Sequence, residues 1–167
     1  MKSLVWLRND LRMDDNPALK HACLNSDEVH CLYLYQPDQM KLHNVASCKI
    51  EFIIENLKDL ESSLNKINVP LTVITSKCFD DCPNLIIDVI NKRSIKKVYW
   101  NNQFGFDEQR RDSAVKDVLD RNNIYNESFD DQVIYPPGTI RTMEGKSYSV
   151  FTPFKRRWIE NFNMDFF

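Results

Sequence analysis

Polar side chains that could hold a ligand follow three predicted strands, each at the point where the strand ends. They occupy segments 8–15, 36–45 and 101–108. In open α/β sheets, ligands bind at the carboxyl edge where the strand order reverses. If the first and fourth strands are neighbours, these three segments surround one crevice. The side chains predicted to lie in it are Trp6, Arg8, Asp10, His43, Asn44, Asn102, Asp107 and Glu108.

Two of these residues, His43 and Glu108, have the chemistry to recognise a polar ligand, but each also has a purely structural interpretation. His43 is expected in an irregular loop, where a solvent-exposed histidine is common. Glu108 is expected in the first turn of a helix. A carboxylate there is favoured by about 0.3–1 kcal/mol because it meets the positive end of the helix dipole. The residues alone leave both interpretations open.

Hydrophobic periodicity predicts the elements that must position these side chains. Strands are expected at 3–7, 29–35, 71–75, 97–100 and 124–129, and helices at 17–23, 46–67, 81–91 and 107–121. Strands that alternate with helices favour right-handed crossovers and a parallel sheet. The predicted fold is therefore α/β: a Rossmann-like, doubly wound, five-stranded parallel sheet in the order 3-2-1-4-5, with helices on both faces.

The pattern changes after Asp130. A turn is expected at residues 136–138, a hairpin tip at Glu144-Gly145, and a final helix capped by Thr152-Pro153. The sequence thus predicts an α/β domain over residues 1–135 and a hairpin with a following helix over residues 136–167.

Composition excludes several classes of protein. The 167 residues are 43% hydrophobic and 28% charged, which is ordinary for a folded domain and unlike a disordered chain. The net charge of −2 gives no general sign of nucleic-acid binding. The chain has three glycines, too few to favour a glycine-rich phosphate-binding loop. No apolar run approaches the length of a membrane span, and no signal peptide begins the chain.

The cysteines are odd in number and scattered, which argues against a disulfide framework and fits a reducing cytoplasm. They are Cys23, Cys31, Cys48, Cys78 and Cys82. The pair Cys78 and Cys82 has no matching Cys or His pair elsewhere, so no metal site is expected.

Two sequence blocks carry a family resemblance. Residues 4–19 read LVWLRNDLRMDDNPAL, and residues 135–158 contain YPPG, YSVFTPFK and a tryptophan. The first block resembles the pattern W-F-R-x-D-L-R-x-x-D-N-x-A-L at the start of DNA photolyases and cryptochromes. The two blocks bracket almost the whole chain, and the second leans toward a bacterial class I cyclobutane pyrimidine dimer photolyase.

The resemblance implies a ligand and its contacts. Folate-antenna photolyases bind 5,10-methenyltetrahydrofolate at this edge of the sheet, through a glutamate after the fourth strand and a histidine after the second. Glu108 and His43 match those positions, with Asn44 as the second residue of the family's H-N pair. One carboxylate can accept hydrogen bonds from the pterin amino group and the adjacent ring N–H. Asp107 departs from the asparagine that is frequent before the glutamate, which places a second negative charge near the ligand.

The resemblance also implies what this chain does not hold. In the family, a helical domain that binds FAD follows the antenna domain, so residues 136–167 are expected to form the hairpin and the start of the connection to that domain. The helical domain carries the flavin that splits the dimer in damaged DNA. This chain is thus expected to hold no catalytic residue and not to repair DNA alone. The full-length protein would be a deoxyribodipyrimidine photo-lyase, a carbon–carbon lyase.

Other functions remain open at this point. A cryptochrome-type light sensor shares the opening pattern, and a doubly wound sheet also suits a stand-alone nucleotide-binding or small-ligand module. Apolar surface left without the helical domain is expected to favour self-association.

Overall fold

A computed structural model describes residues 1–162 of the chain, which form two compact units, Met1–Phe129 and Asp130 onward. The elements of the first unit are β1 (Lys2–Leu7), α1 (Pro17–Leu24), β2 (Glu28–Tyr35), α2 (Pro37–Leu42), α3 (Ser47–Asn65), β3 (Leu71–Thr75), a 3₁₀ turn (Phe79–Asp81), α4 (Cys82–Arg93), β4 (Lys97–Asn101), α5 (Phe106–Arg121) and β5 (Tyr125–Phe129). The second unit contains α6 (Phe151–Glu160).

The five strands form one parallel sheet in the order β3-β2-β1-β4-β5. β1 lies at the centre, and its Trp6 is in register with Leu32 of β2 and Trp100 of β4. The predicted order is confirmed. Because β1 has β2 on one side and β4 on the other, the strand order reverses at β1.

Alternation along the strands supplies a core to each face of the sheet. In β1, Val5 and Leu7 pack on one face with apolar residues of α1 and α3. Leu4 and Trp6 pack on the other face with residues of α4 and α5. Burial on both faces explains why β1 reads as a continuous apolar run. The predicted double winding is confirmed.

The start of α1 is fixed by local chemistry. The Asn16 side chain accepts a hydrogen bond from the Leu19 backbone N–H at 3.1 Å, and Pro17 occupies the first helical position. Both are preferred at helix N-termini, because the first N–H groups of a helix have no partner within it.

One helix was not predicted. Residues 37–42 form α2, whereas the sequence suggests a loop throughout 36–45. Pro37 is the local signal, since proline is favoured at the first turn. At six residues α2 is too short for an apolar period to show. α2 ends at Leu42, so the predicted loop is wrong over residues 37–42, whereas His43 is the C-cap and lies in the turn that follows the helix.

The second unit also differs from expectation. Residues 142–146 form a turn, with the Thr142 N–H donating to the Lys146 carbonyl at 2.9 Å, and no strand is assigned between residues 130 and 162. α6 begins at Phe151 after Val150, so Thr152 and Pro153 lie in its first turn and do not precede it. The units divide after Phe129, whereas the predicted boundary follows residue 135. No helix described over residues 1–162 is long and apolar enough to cross a membrane.

Candidate binding cleft at the carboxyl edge of the sheet

A cleft of about 140 Å³ opens where β1, β2 and β4 end. Four of the side chains predicted to line it do so: Trp6, Arg8, His43 and Glu108. Four others do not lie on its wall: Asp10, Asn44, Asn102 and Asp107. Pockets that enclose a drug-sized ligand measure about 300–1,000 Å³. This cleft therefore has room for a ring system, with the rest of a larger ligand outside.

The floor of the cleft is an indole ring with two guanidinium groups over it. Trp6 is 1% exposed, and the Cζ atoms of Arg8 and Arg111 lie 4.5 and 4.8 Å from its ring centroid. Arg111 also lies 4.5 Å from the ring centroid of Phe79, which lines the cleft. Cations prefer the negative face of an aromatic ring, so these stacks hold both arginines in place.

The two buried arginines share one carboxylate. Asp112 Oδ1 lies 2.7 Å from Arg111 Nη2 and 3.6 Å from Arg8 Nη1. Arg8 also donates from Nη2 to the Asn101 carbonyl, and Arg111 donates to Gln103 Oε1 at 2.8 Å. Burial lowers the pKa of Arg8 to about 10, despite the opposing effect of Asp112. Arg8 therefore stays protonated at neutral pH.

Asp10 lies buried in a hydrogen-bonded cluster beside the cleft and is not on its wall. Its Oδ1 accepts from the Arg8 backbone N–H at 2.7 Å, and its Oδ2 accepts from Asn101 Nδ2 at 2.6 Å. Asn101 Nδ2 also donates to Asn16 Oδ1 at 2.9 Å, and its Oδ1 accepts from the Ala18 N–H at 3.1 Å. Asn101 thereby ties the end of β4 to the loop after β1 and to the start of α1.

His43 stands on the rim between two carboxylates. Its Nε2 lies 3.3 Å from Asp107 Oδ2, and its Nδ1 lies 3.9 Å from Glu108 Oε1. Gln39 Nε2 lies 2.9 Å from the same His43 Nε2. The Gln39 amide needs an accepting nitrogen, whereas Asp107 needs a donating one, so the two partners compete for Nε2. Protonation of the imidazole favours Asp107.

Asn44, the residue after His43, adopts a left-handed conformation with φ 51°. Its N–H donates to the Lys41 carbonyl at 3.0 Å, which closes the turn after α2. Asparagine is among the residues that tolerate this conformation. Asn44 therefore has a structural role in this turn. Its contact with a ligand stays a prediction.

Glu108 is placed by the helix that carries it. Gly105 is the N-cap of α5, so Glu108 is the third helical residue, and it lies in the first turn as predicted. Its carboxylate folds back over Gly105, since a Cβ on Gly105 would lie 2.0 Å from Glu108 Oε2. A glutamate at this position characteristically reaches back to the N-cap. Its side chain is 23% exposed, so a ligand in the cleft has access to it.

Four residues that line the cleft were not singled out from the sequence: Gln39, Phe79, Gln103 and Arg111. Asn101, in the buried cluster beside the cleft, was not singled out either. A signal was available for Arg111. It follows Glu108 by three positions, and residues three apart lie on the same face of a helix. Gln39 and Phe79 lie on the unpredicted α2 and on a short 3₁₀ turn, which have no apolar period.

Comparisons with known proteins identify the family of this chain. The family model described as DNA photolyase matches residues 3–166. A deoxyribodipyrimidine photo-lyase of Vibrio cholerae is 35% identical over 95% of this chain and 34% of its own length. Cryptochrome-1 of Arabidopsis thaliana is 29% identical over 93% of the chain and 22% of its own length.

A solved structure shows the same architecture. The class III photolyase of Agrobacterium tumefaciens superposes with a TM-score of 0.76 and is 26% identical, over 97% of this chain and 32% of that one. The chain thus spans about a third of the length of the photolyases it matches. The family match covers nearly every residue, and the five-stranded sheet is shared with the solved photolyase. This chain belongs to the DNA photolyase family and has the fold of that family's N-terminal α/β domain.

Proposed function

We propose that the cleft binds a pterin antenna, 5,10-methenyltetrahydrofolate, and that this domain is part of a deoxyribodipyrimidine photo-lyase. The observation that carries the proposal is the Glu108 carboxylate, held on the rim of a cleft that Trp6 and Phe79 also line. Flat aromatic walls with a few placed polar groups are typical of sites for ring ligands. The ligand would supply absorption of near-ultraviolet or blue light.

The residues of the chain have separate tasks in this proposal. Glu108 accepts two N–H groups from one edge of the pterin, an arrangement strengthened by its negative charge. His43 closes the rim and holds Asp107, 3.3 Å away. That contact draws the Asp107 carboxylate toward His43, which reduces the penalty expected from a second negative charge beside the ligand. Asn44 shapes the turn that presents His43.

The remaining activity belongs to a longer protein in this proposal. FAD and the contacts to damaged DNA are assigned to a helical domain, so the 167-residue chain alone does not repair DNA and contributes no catalytic residue. The five scattered cysteines are the basis for placing the protein in the cytoplasm. The chain alone is expected to bind the antenna weakly, with a dissociation constant above about 1 μM, because one wall of the cleft is then open to water.

Titration of the chain with methenyltetrahydrofolate, followed by absorbance and fluorescence, tests the proposal. Glu108→Gln keeps the size of the side chain but removes the charge and one acceptor, so affinity should fall about tenfold or more. Asp117→Asn removes a carboxylate from the exposed surface of the same helix and should bind like the wild type. Equal affinity in all three proteins would refute the role of Glu108, and no saturable binding would refute folate as the ligand of this chain.

A cryptochrome-type light sensor is the second candidate, because Cryptochrome-1 of Arabidopsis is among the relatives. Repair of dimer-containing DNA under blue light by the longer protein separates the two. Repair supports the photo-lyase, whereas bound flavin without repair supports the sensor.

A further inference from the structure

Trp6 occupies an unusual position for a site that is proposed to hold a photoexcited molecule. An indole in contact with an excited chromophore can transfer an electron to it and so waste the excitation. Trp6 lines the cleft, yet it is 1% exposed, so water does not surround its ring. The charges nearest to its ring therefore act with little screening.

Two positive charges lie close to the Trp6 ring. The guanidinium carbons of Arg8 and Arg111 lie 4.5 and 4.8 Å from the ring centroid, and these arginines are 7% and 5% exposed. Among the described residues, Arg8 Nε finds no hydrogen-bond acceptor.

The compensating carboxylates pair with the arginines and the backbone. Asp112 Oδ1 contacts both guanidinium groups, and Asp10 accepts from the Arg8 N–H and from Asn101. The group has no net charge when both aspartates are counted, and both of its guanidinium carbons lie within 5 Å of the indole centroid. A positive charge that develops on the ring would be repelled by both arginines.

We propose that Arg8 and Arg111 protect Trp6 from oxidation by a photoexcited ligand in the cleft. The step they oppose is transfer of one electron from the Trp6 indole to the excited ligand, with return of that electron and loss of the excitation as heat. The two guanidinium groups disfavour it by destabilising the indole cation. The inference rests on the proposed function only in its premise that the ligand of the cleft is light-harvesting.

The first test needs no ligand. Trp100→Phe with Trp158→Phe leaves Trp6 as the only tryptophan of the chain. Azide radicals generated by pulse radiolysis remove one electron from the protein, each becoming azide ion, and the indole radical absorption then reports Trp6 alone. In this background Arg111→Gln should raise the yield of Trp6 radical about threefold or more, because one of two nearby cations is lost. Arg111→Lys is the matched control, since it keeps the charge and should stay close to the parent.

A second variant tests the same idea in the opposite direction. Asp112→Asn removes the carboxylate shared by Arg8 and Arg111, so the positive charge beside the ring grows and the yield of Trp6 radical should fall. This variant keeps the inference testable if Arg111→Gln does not fold. An equal yield in the parent and in whichever of these variants folds would overturn the inference.

The third measurement uses bound methenyltetrahydrofolate and its fluorescence lifetime. In the wild type, Trp6→Phe should leave the lifetime unchanged, because Trp6 is already protected. In Arg111→Gln the lifetime should shorten, and adding Trp6→Phe should restore it. A shortened lifetime that Trp6→Phe does not restore would overturn the inference. Failure of the folate to bind would refute the proposed function and leave the radiolysis result as the test of the arginines.

Discussion

Replacement of Asn101 by alanine should cost the first unit a large part of its stability. Asn101 is 2% exposed and makes three side-chain hydrogen bonds, to Asp10 Oδ2, Asn16 Oδ1 and the Ala18 N–H. Alanine leaves the Asp10 carboxylate and the Ala18 N–H buried without these partners. Each abandoned group costs about 1–3 kcal/mol, with the upper part of that range for the charged one, so the total is about 3–5 kcal/mol.

Urea denaturation followed by circular dichroism measures this loss. Domains are stable by about 5–15 kcal/mol, so the midpoint of the variant should move far outside experimental error. Asn122→Ala is the matched control, because Asn122 donates to the Val118 carbonyl at an exposed position. Its loss should be about 0.5 kcal/mol or less.

Asn101→Asp separates hydrogen bonding from packing. The new carboxylate can still accept from Ala18, but it replaces a donor at 2.6 Å from Asp10 Oδ2 with a negative charge. Two close carboxylates are tolerated only when they share a proton. The variant should therefore be strongly destabilised at neutral pH and partly recover, relative to wild type, as the pH falls through the carboxyl range. A loss below about 1 kcal/mol for Asn101→Ala would refute this account of the cluster.

Three further predictions concern the cleft and the buried thiols. Gly105→Ala should displace the Glu108 carboxylate, because its Oε2 would lie 2.0 Å from the new Cβ. Folate binding should then weaken in a fluorescence titration, and the domain should lose about 1 kcal/mol of stability. Burial raises the pKa of Cys31 to about 12 and that of Cys82 to about 11. Iodoacetamide at pH 8 should therefore label the exposed Cys48 long before either of these thiols, and peptide mapping of the labelled protein measures the order. The same shifts predict lower stability above pH 9 in urea titrations, since the unfolded thiols ionise near pH 9 while the folded ones stay protonated. Early labelling of Cys31, or stability that is flat from pH 8 to about 11, would contradict this burial.

The fold could be read from the sequence because its strands and long helices have clear apolar periods. Not every apolar residue of the helix predicted over residues 46–67 is buried, however, and α3 ends at Asn65, before Ile67. Leu57, Leu60 and Leu64 are buried, whereas Ile54 and Ile67 are 40% and 47% exposed. Period identifies the helix, but the depth of each residue depends on how the helix packs against the sheet.

The cleft could be located only approximately. Topology brings together the loops that follow β1, β2 and β4, and this rule placed His43 and Glu108 at the rim. It could not decide that Asp10 turns into a buried cluster, nor that Arg8 pairs with Asp112. Those choices depend on long-range contacts among similar charges, and local sequence does not distinguish one aspartate from another.

The central position of β1 also governs how the chain must fold during synthesis. β1 leaves the ribosome before the other four strands, and its Ser3 pairs with Val29 of β2 and later with Lys97 of β4. Until β4 emerges, one edge of an almost wholly apolar strand has no neighbour, and such edges attract other chains. Parallel pairings between distant segments are also slow to form. The nascent chain therefore passes through an interval in which its most aggregation-prone strand is half paired, and slower translation after β2 would lengthen that interval.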